Sequence, residues 1–360
     1  MRRDSWANNL WDLWRREKEC VGSSLIPSLK EISKYEINVF VLTFIMDLRK
    51  ENGNLYPPGT IHNIICGIQA NLRSILTSSI NLLKDAEFDK VKKTVNCQMM
   101  KASKSGANVL KKQAEPITRE QEDDLCQKGI IGDETPLQLI RAIFYLNGKN
   151  FALRGDEEHR NLKLSQITVK SDKLEYHEIT SKTWQGGISS LKIKPKFVIH
   201  HDNSVNPKRC HRNLMLKYLN SRPVMDSDIF YLTPRKSLTS SNDGNVWFLK
   251  EPMGKNMLSS MMKKIVEAAG WIGYYTNHSL RATVATTLYQ EGVDEQLIME
   301  RTGHRSIQAV RSYKRTSEKQ LSEVSRIIDG NSLTISGSSN AINITNCQVT
   351  IINNYDCNNQ

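Results

Sequence analysis

Residues 277–313 read NHSLRATVATTLYQEGVDEQLIMERTGHRSIQAVRSY, and the rest of the chain is best understood from this stretch outward. It sets out His278, Arg281, His304 and Tyr313 in a fixed order on a run of short helices. His278 and Arg281 stand three apart on a helix that Asn277, a good N-cap residue, is expected to open, so both side chains leave one turn in the same direction. Gly303 is expected to stop the next helix directly before His304, and Tyr313 follows nine residues after that histidine. Two imidazoles, a guanidinium and a phenol on one site suit a phosphodiester under attack. Singly each piece is weak evidence, since the chain has eight histidines and any one of them is more often structural than catalytic. Only His278 has an arginine at that offset, and it shares a short region with the Gly-His pair and the tyrosine.

Upstream, helical patterns over 258–270, 211–220, 150–162 and 135–148 surround a segment, 167–201, in which the period changes. There ITV, LEYHEIT and SLKIKPKFVIHH have the β-branched content and turn residues of a short antiparallel sheet. Thr118 and Gln121 make a capping box that restarts helix after KASKSGANVLKKQAEP (101–116), a stretch without periodicity that marks a linker. Before it the chain reads as helices throughout. Ile37, Phe40, Val41, Phe44, Ile45 and Leu48 form one stripe; ENGNLYPPG ends it; Thr60 is expected to cap a helix striped by Ile61, Ile64, Ile65, Ile68 and Leu72; and Phe88, Val91, Val95 and Met99 form another. Such stripes read as core. The opening MRRDSWANNLWDLWRRE reads as an amphipathic helix with Trp6, Leu10, Trp11 and Trp14 inward, not as a signal peptide. Downstream, SEKQLSEVSRII is a last helix, and the Ser/Asn/Ile-rich tail 331–360 reads either as one or two strands or as disorder.

The expected fold class is therefore mainly α with a small antiparallel β-sheet (α+β): a helical domain over 1–105, a linker over 106–117, a mixed domain over 118–330 and the tail. An apolar share of 39% is that of a globular chain with a sizeable core, and no stretch is apolar enough to cross a membrane. Seven cysteines without a C-x-x-C pair speak against a zinc module or a disulfide framework. A net charge of +12, spread along the chain, points to a polyanionic partner, nucleic acid ahead of a membrane surface.

Taken together, the residues resemble the tyrosine recombinases, the integrase-like enzymes that cut and rejoin DNA through a phosphotyrosine, and within them the recombinases of Crypton-type mobile elements and their animal descendants. The family's H-x-x-R box stands here as His278-Ser279-Leu280-Arg281, and its closing Gly-His with a tyrosine nine residues on as Gly303-His304 and Tyr313. Its first box, an arginine with a glutamate three residues later, is matched by Arg154 and Glu157 in FALRGDEEHRNL, where Arg160 is the competing arginine and Ala152 stands in place of the glycine common two positions earlier. FYLNGKN (144–150) and YPPGTIHNIICGIQ (56–69) also look like the Crypton branch. The family's β-hairpin lysine is placed at Lys182 in EITSKTWQGG, with Lys170, Lys173 and Lys192 as competitors.

The resemblance implies a SAM-like core-binding domain followed by a catalytic domain, double-stranded DNA as substrate, a homo-oligomer that is a tetramer on two DNA sites, a nuclear location, and neither metal nor cofactor. It implies Tyr313 as nucleophile, Arg154 and Arg281 as phosphate ligands, His278 as base or phosphate ligand, Lys182 as acid to the departing sugar oxygen, and His304 as a hydrogen-bond donor to the phosphate that buttresses the tyrosine helix. No Gly-rich nucleotide loop and no carboxylate cluster for paired metal ions occurs in the sequence. Two other readings stay open: a non-catalytic nuclear DNA-binding descendant that keeps the fold, and a type IB topoisomerase with the same chemistry.

Overall fold

The computed structural model describes residues 3–20, 26–76, 79–106, 113–179, 194–236 and 246–329. The chain divides into two compact units, Met1–Gln113 and Ala114–Gln360. Lys182 and the 331–360 tail lie outside the described residues.

The first unit is helical: α1 (Arg3–Cys20), α2 (Lys34–Asp47), α3 (Pro58–Leu76) and α4 (Asp89–Lys104). Its core is the set of stripes legible in the sequence, with Trp11, Trp14 and Phe44 at the centre, their rings 5.2, 5.3 and 5.5 Å apart. Burying one such ring stabilises by about 3 kcal/mol. Trp14 also satisfies its indole N–H by donating to Asp47 Oδ2 at 3.0 Å, which ties α1 to the end of α2. Ser33 and Glu36 form the capping box that starts α2. Thr60 does not cap α3, because the helix begins at Pro58. A proline fits the first turn, where its fixed φ is helical and its missing N–H would have had no partner.

In the second unit α5 (Arg119–Gln127) opens on the Thr118–Gln121 capping box. Thr135 then caps α6 (Pro136–Asn150), which is buried on nearly every side and forms the spine of the unit. Gly148 lets α11 (Asn277–Gln290) approach it closely: a Cβ there would stand 2.3 Å from Leu280 Cδ1. Strands β1 (Ile167–Val169), β2 (Lys173–His177) and β3 (Phe197–His201) make the antiparallel sheet, with Ile167 opposite Tyr176 and Leu174 opposite His200. Leu174, Tyr176 and Val198 point into the core. Beyond α8 (His211–Asn220) a second antiparallel pair, β4 (Leu232–Pro234) and β5 (Phe248–Pro252), appears that the sequence pattern does not announce, since both strands are short and end in proline. The unit continues through α9 (Lys255–Ser259), α10 (Met261–Ala269), α12 (Glu295–Thr302), α13 (Ile307–Arg311) and α14 (Glu318–Ile328).

Three expected helices are built differently. The pattern over 258–270 breaks at Ser260 into α9 and α10. Asn277 is not the cap of α11; Thr276 is, accepting from His278 N. Asn277 instead serves the break, its Oδ1 accepting from Met262 N at 3.1 Å and its Nδ2 donating to Leu258 O at 2.8 Å. The helix expected over 150–162 is interrupted: α6 ends at Asn150, and α7 (Gly155–Arg160) starts afresh after a turn in which Ala152 takes a left-handed φ of 49°. That turn stays open because its carbonyls are claimed from outside, Ala152 O accepting from Arg281 Nη1 at 2.8 Å and from Lys196 Nζ at 3.3 Å. Left-handed backbone costs a non-glycine residue about 1–2 kcal/mol, and a glycine forfeits about 0.4–1 kcal/mol in the unfolded chain, so Ala152→Gly is expected to stabilise by about 0.5 kcal/mol. Urea denaturation checks this, and a lowered midpoint would show that the buried Ala152 methyl outweighs the strain of the turn.

A single hydrogen-bonded chain runs through this core. Asn150 Nδ2 meets His211 Nδ1 (3.1 Å), His211 Nε2 meets Asn147 Oδ1 (3.0 Å), Asn147 Nδ2 meets the Tyr231 hydroxyl (2.9 Å), and that hydroxyl meets His159 Nδ1 (2.9 Å). Amide nitrogens only donate and amide oxygens only accept, so His211 carries its proton on Nε2 and Tyr231 gives its own to His159. Both imidazoles are neutral: burial takes His159, with help from Lys196, down to about 3 and His211 well below its ordinary range.

Candidate active site

The C-terminal helices gather four of the side chains singled out in the sequence. His278 sits in the first turn of α11, with Arg281 one turn on and 1% exposed. Gly303 ends α12 in the left-handed conformation (φ 66°) that places His304. Tyr313 follows α13, where Thr286 Oγ1 donates to its carbonyl at 3.0 Å. Its ring packs against the small cluster of Ala285, Tyr289, Ile298 and Val310. His278 Nε2 lies 2.5 Å from the Tyr313 hydroxyl, and the His304 ring lies 5.1 Å from the tyrosine ring.

Arg154 comes to the same place from the turn before α7, its Nη2 donating to Gly303 O at 3.3 Å. Its backbone N–H donates to Glu158 Oε2 at 2.8 Å, and Glu158 Oε1 lies 3.9 Å from its Nε. The carboxylate behind the arginine is thus buried Glu158 and not Glu157, which points to solvent, as does the competing Arg160. In a six-residue helix the two neighbouring glutamates face opposite ways, a distinction that spacing alone does not make.

Lys196 is the residue that sequence reading missed. Just before β3 it is 7% exposed, its ammonium donating to Phe151 O (2.9 Å) and Ala152 O and lying over the Tyr176 ring. Its stem packs against Gly303, where a Cβ would come within 3.1 Å of Lys196 Cδ. It therefore touches the turn that delivers Arg154 and the cap that delivers His304. A lysine beside a proline at the start of a strand carries no signal of this in sequence.

The electrostatics are those of cations crowded out of water. Burial, then Arg154, brings Arg281 down to about 10, and among the described residues its Nε and Nη2 have no hydrogen-bond partner. His278 is lowered by burial and then by Arg281 and Arg154, and His304 falls to about 3 for the same reasons in the same order. Burial raises the Tyr313 phenol while Arg281 and Arg154 pull it back. Such a site favours an anion that offers several oxygens to guanidinium and imidazole groups.

Burial lowers Lys196 from 10.5 to about 7, with Glu158 and Glu178 opposing and Arg281 and Arg154 assisting. Because the folded value is depressed, the unfolded chain binds more protons above it, and stability gains with rising pH between about 7 and 9. Below pH 7 the cost of the buried charge is fully present. Lys196→Met should flatten this dependence, measured as urea midpoints at pH 7 and 9; an unchanged slope would exclude Lys196 as its source.

Residues 116–267 match a family model described as a domain of unknown function, DUF3504. Human Zinc finger MYM-type protein 2 is 25% identical over 296 residues, covering 73% of this chain and 21% of its own length. The human protein described as uncharacterized protein KIAA1958 is 24% identical over 271 residues, covering 73% of this chain and 37% of its own. The chain thus spans about a fifth to under two fifths of the curated relatives it matches. Among solved structures, the XerH site-specific recombinase bound to palindromic difH substrate, in its post-cleavage complex, superposes with a TM-score of 0.51 at 15% identity, covering 89% of this chain and 77% of XerH. The fold is that of the tyrosine recombinases.

Proposed function

We propose that the chain is a DNA recombinase or transposase of Crypton type, acting on double-stranded DNA in the nucleus through a 3′-phosphotyrosine. The observation that carries this reading is the Tyr313 hydroxyl, hydrogen-bonded to His278 at 2.5 Å beside two arginines that come from separate parts of the chain. In the reaction the Tyr313 oxygen bonds to phosphorus as its proton passes to His278, and the bond from phosphorus to the sugar oxygen breaks. Arg154 and Arg281 take the charge that develops on the non-bridging oxygens. The departing oxygen takes a proton from a lysine, Lys182 being the assigned donor. The phosphotyrosine keeps the bond energy, and attack by a sugar hydroxyl reverses the steps.

In this reading residues 1–105 are the core-binding domain, 106–117 the linker and 118–330 the catalytic domain, and four copies hold two duplexes. The second reading is a DNA-binding protein that keeps the fold without cleavage. It is favoured by the similarity to zinc finger MYM-type proteins 2 and 3.

Incubation with nicked and supercoiled duplexes, including the ends of any element that encodes the chain, tests the enzyme reading. A detergent-resistant protein–DNA adduct is expected. Duplex binding with no adduct on any substrate leaves the second reading.

A further inference from the structure

Thr302, the last residue of α12, is fully buried and its hydroxyl has two close partners. It lies 2.6 Å from Ile298 O, one turn back in the helix, and 2.6 Å from His304 Nδ1. A hydroxyl carries one hydrogen and a carbonyl can only accept, so the hydrogen goes to Ile298. Towards the imidazole Thr302 can therefore only accept, and the His304 proton must be on Nδ1. His304 is neutral at rest, because burial and the charges facing it, Arg281, Arg154, His278 and Lys196, all oppose a second proton. Its Nε2 then carries a bare lone pair and makes no hydrogen bond among the described residues.

We propose that Thr302 is a positioning residue that locks His304 in the Nδ1–H tautomer, so that its Nε2 enters the site as a proton acceptor. The resemblance to the tyrosine recombinases implies that His304 donates to a phosphate oxygen. In the locked tautomer two lone pairs would face each other there, and His304 becomes a donor to phosphate only after it takes up a proton. The resting imidazole is instead matched to a group that brings a hydrogen, such as a hydroxyl. The catalytic meaning of this rests on the phosphotyrosine reading; the tautomer does not.

The test is an imidazole ¹H–¹⁵N correlation spectrum of the full chain, whose long-range cross-peak pattern separates the two neutral tautomers, with His304→Gln to assign the signals. The wild type and Thr302→Ser are expected to show Nδ1–H. Thr302→Val, which keeps the shape and removes the hydroxyl, is expected to shift the population to Nε2–H. A wild type that shows Nε2–H overturns the proposal, and so does a folded Thr302→Val variant with unchanged tautomer. Should the valine variant not fold, wild type and serine variant decide alone. On a nicked duplex, Thr302→Val should slow adduct formation by about tenfold or more, with Thr302→Ser restoring the rate and duplex binding constant throughout. If the wild type shows Nδ1–H but forms no adduct, the lock stands and the cleavage reading falls.

Discussion

Tyr313→Phe is expected to abolish the detergent-resistant adduct, a loss of roughly 10⁴-fold or more, the scale on which removal of a covalent nucleophile acts. The substitution deletes one oxygen. The ring remains packed on Ala285, Tyr289, Ile298 and Val310, and the backbone remains held by Thr286, so neither the fold nor the duplex-binding surface should change. What disappears is the hydroxyl that His278 holds at 2.5 Å. In the proposed reaction that contact also offsets the burial of the phenol. Burial alone raises its pKa, and the neighbouring arginines with an imidazole acceptor at hydrogen-bond distance work in the opposite direction. An adduct of undiminished yield from the phenylalanine variant would place the nucleophile elsewhere.

Arg281→Met should move activity and stability in opposite directions. The guanidinium is 1% exposed; Nη1 donates to Ala152 O, while among the described residues Nε and Nη2 have no hydrogen-bond partner and the group otherwise faces the Tyr313 phenol. A buried, incompletely paired charge lowers stability, and an unbranched apolar side chain of similar length should raise it by about 1–3 kcal/mol. Ala152 O keeps its second donor, Lys196. Adduct formation should fall by about 10²–10³-fold, the usual cost of losing one preorganised donor to a developing negative charge. Urea denaturation and the nicked-duplex assay on the same preparation check both signs. If both quantities fell together, Arg281 would be holding the fold and not waiting for an anion.

What could be read from sequence follows from how far each signal reaches along the chain. The apolar stripes of α2, α3 and α4 repeat within a few residues, and the buried sets match them. The β-branched content and turn residues that mark the antiparallel sheet are legible for the same reason. His278, Arg281, His304 and Tyr313 come from one contiguous stretch, so their order was visible before any folding. The errors sit where distant groups override local pattern. The helical period runs straight through Phe151 to Arg154, but Arg281 and Lys196 take the Ala152 carbonyl out of the helix. Asn277 has the chemistry of a cap, and a backbone break at Ser260 recruits it elsewhere. Glu157 has the expected offset, yet the short α7 turns Glu158 inward. Lys196 drew no notice because its partners are backbone carbonyls and a glycine, which leave no trace in spacing.

The buried chain from Asn150 to His159 has a bearing on how such a sequence can change over time. Every link has a fixed donor and a fixed acceptor, so replacing any one member strands a buried polar group at its neighbours, at a cost of about 1–3 kcal/mol. Exchanging the set together for apolar residues of similar shape need cost little. Asn147, Asn150, His159, His211 and Tyr231 are therefore one heritable character spread over five codons. Descendants of this fold should carry all five or none, with mixed sets confined to chains on their way to losing the turn that delivers Arg154.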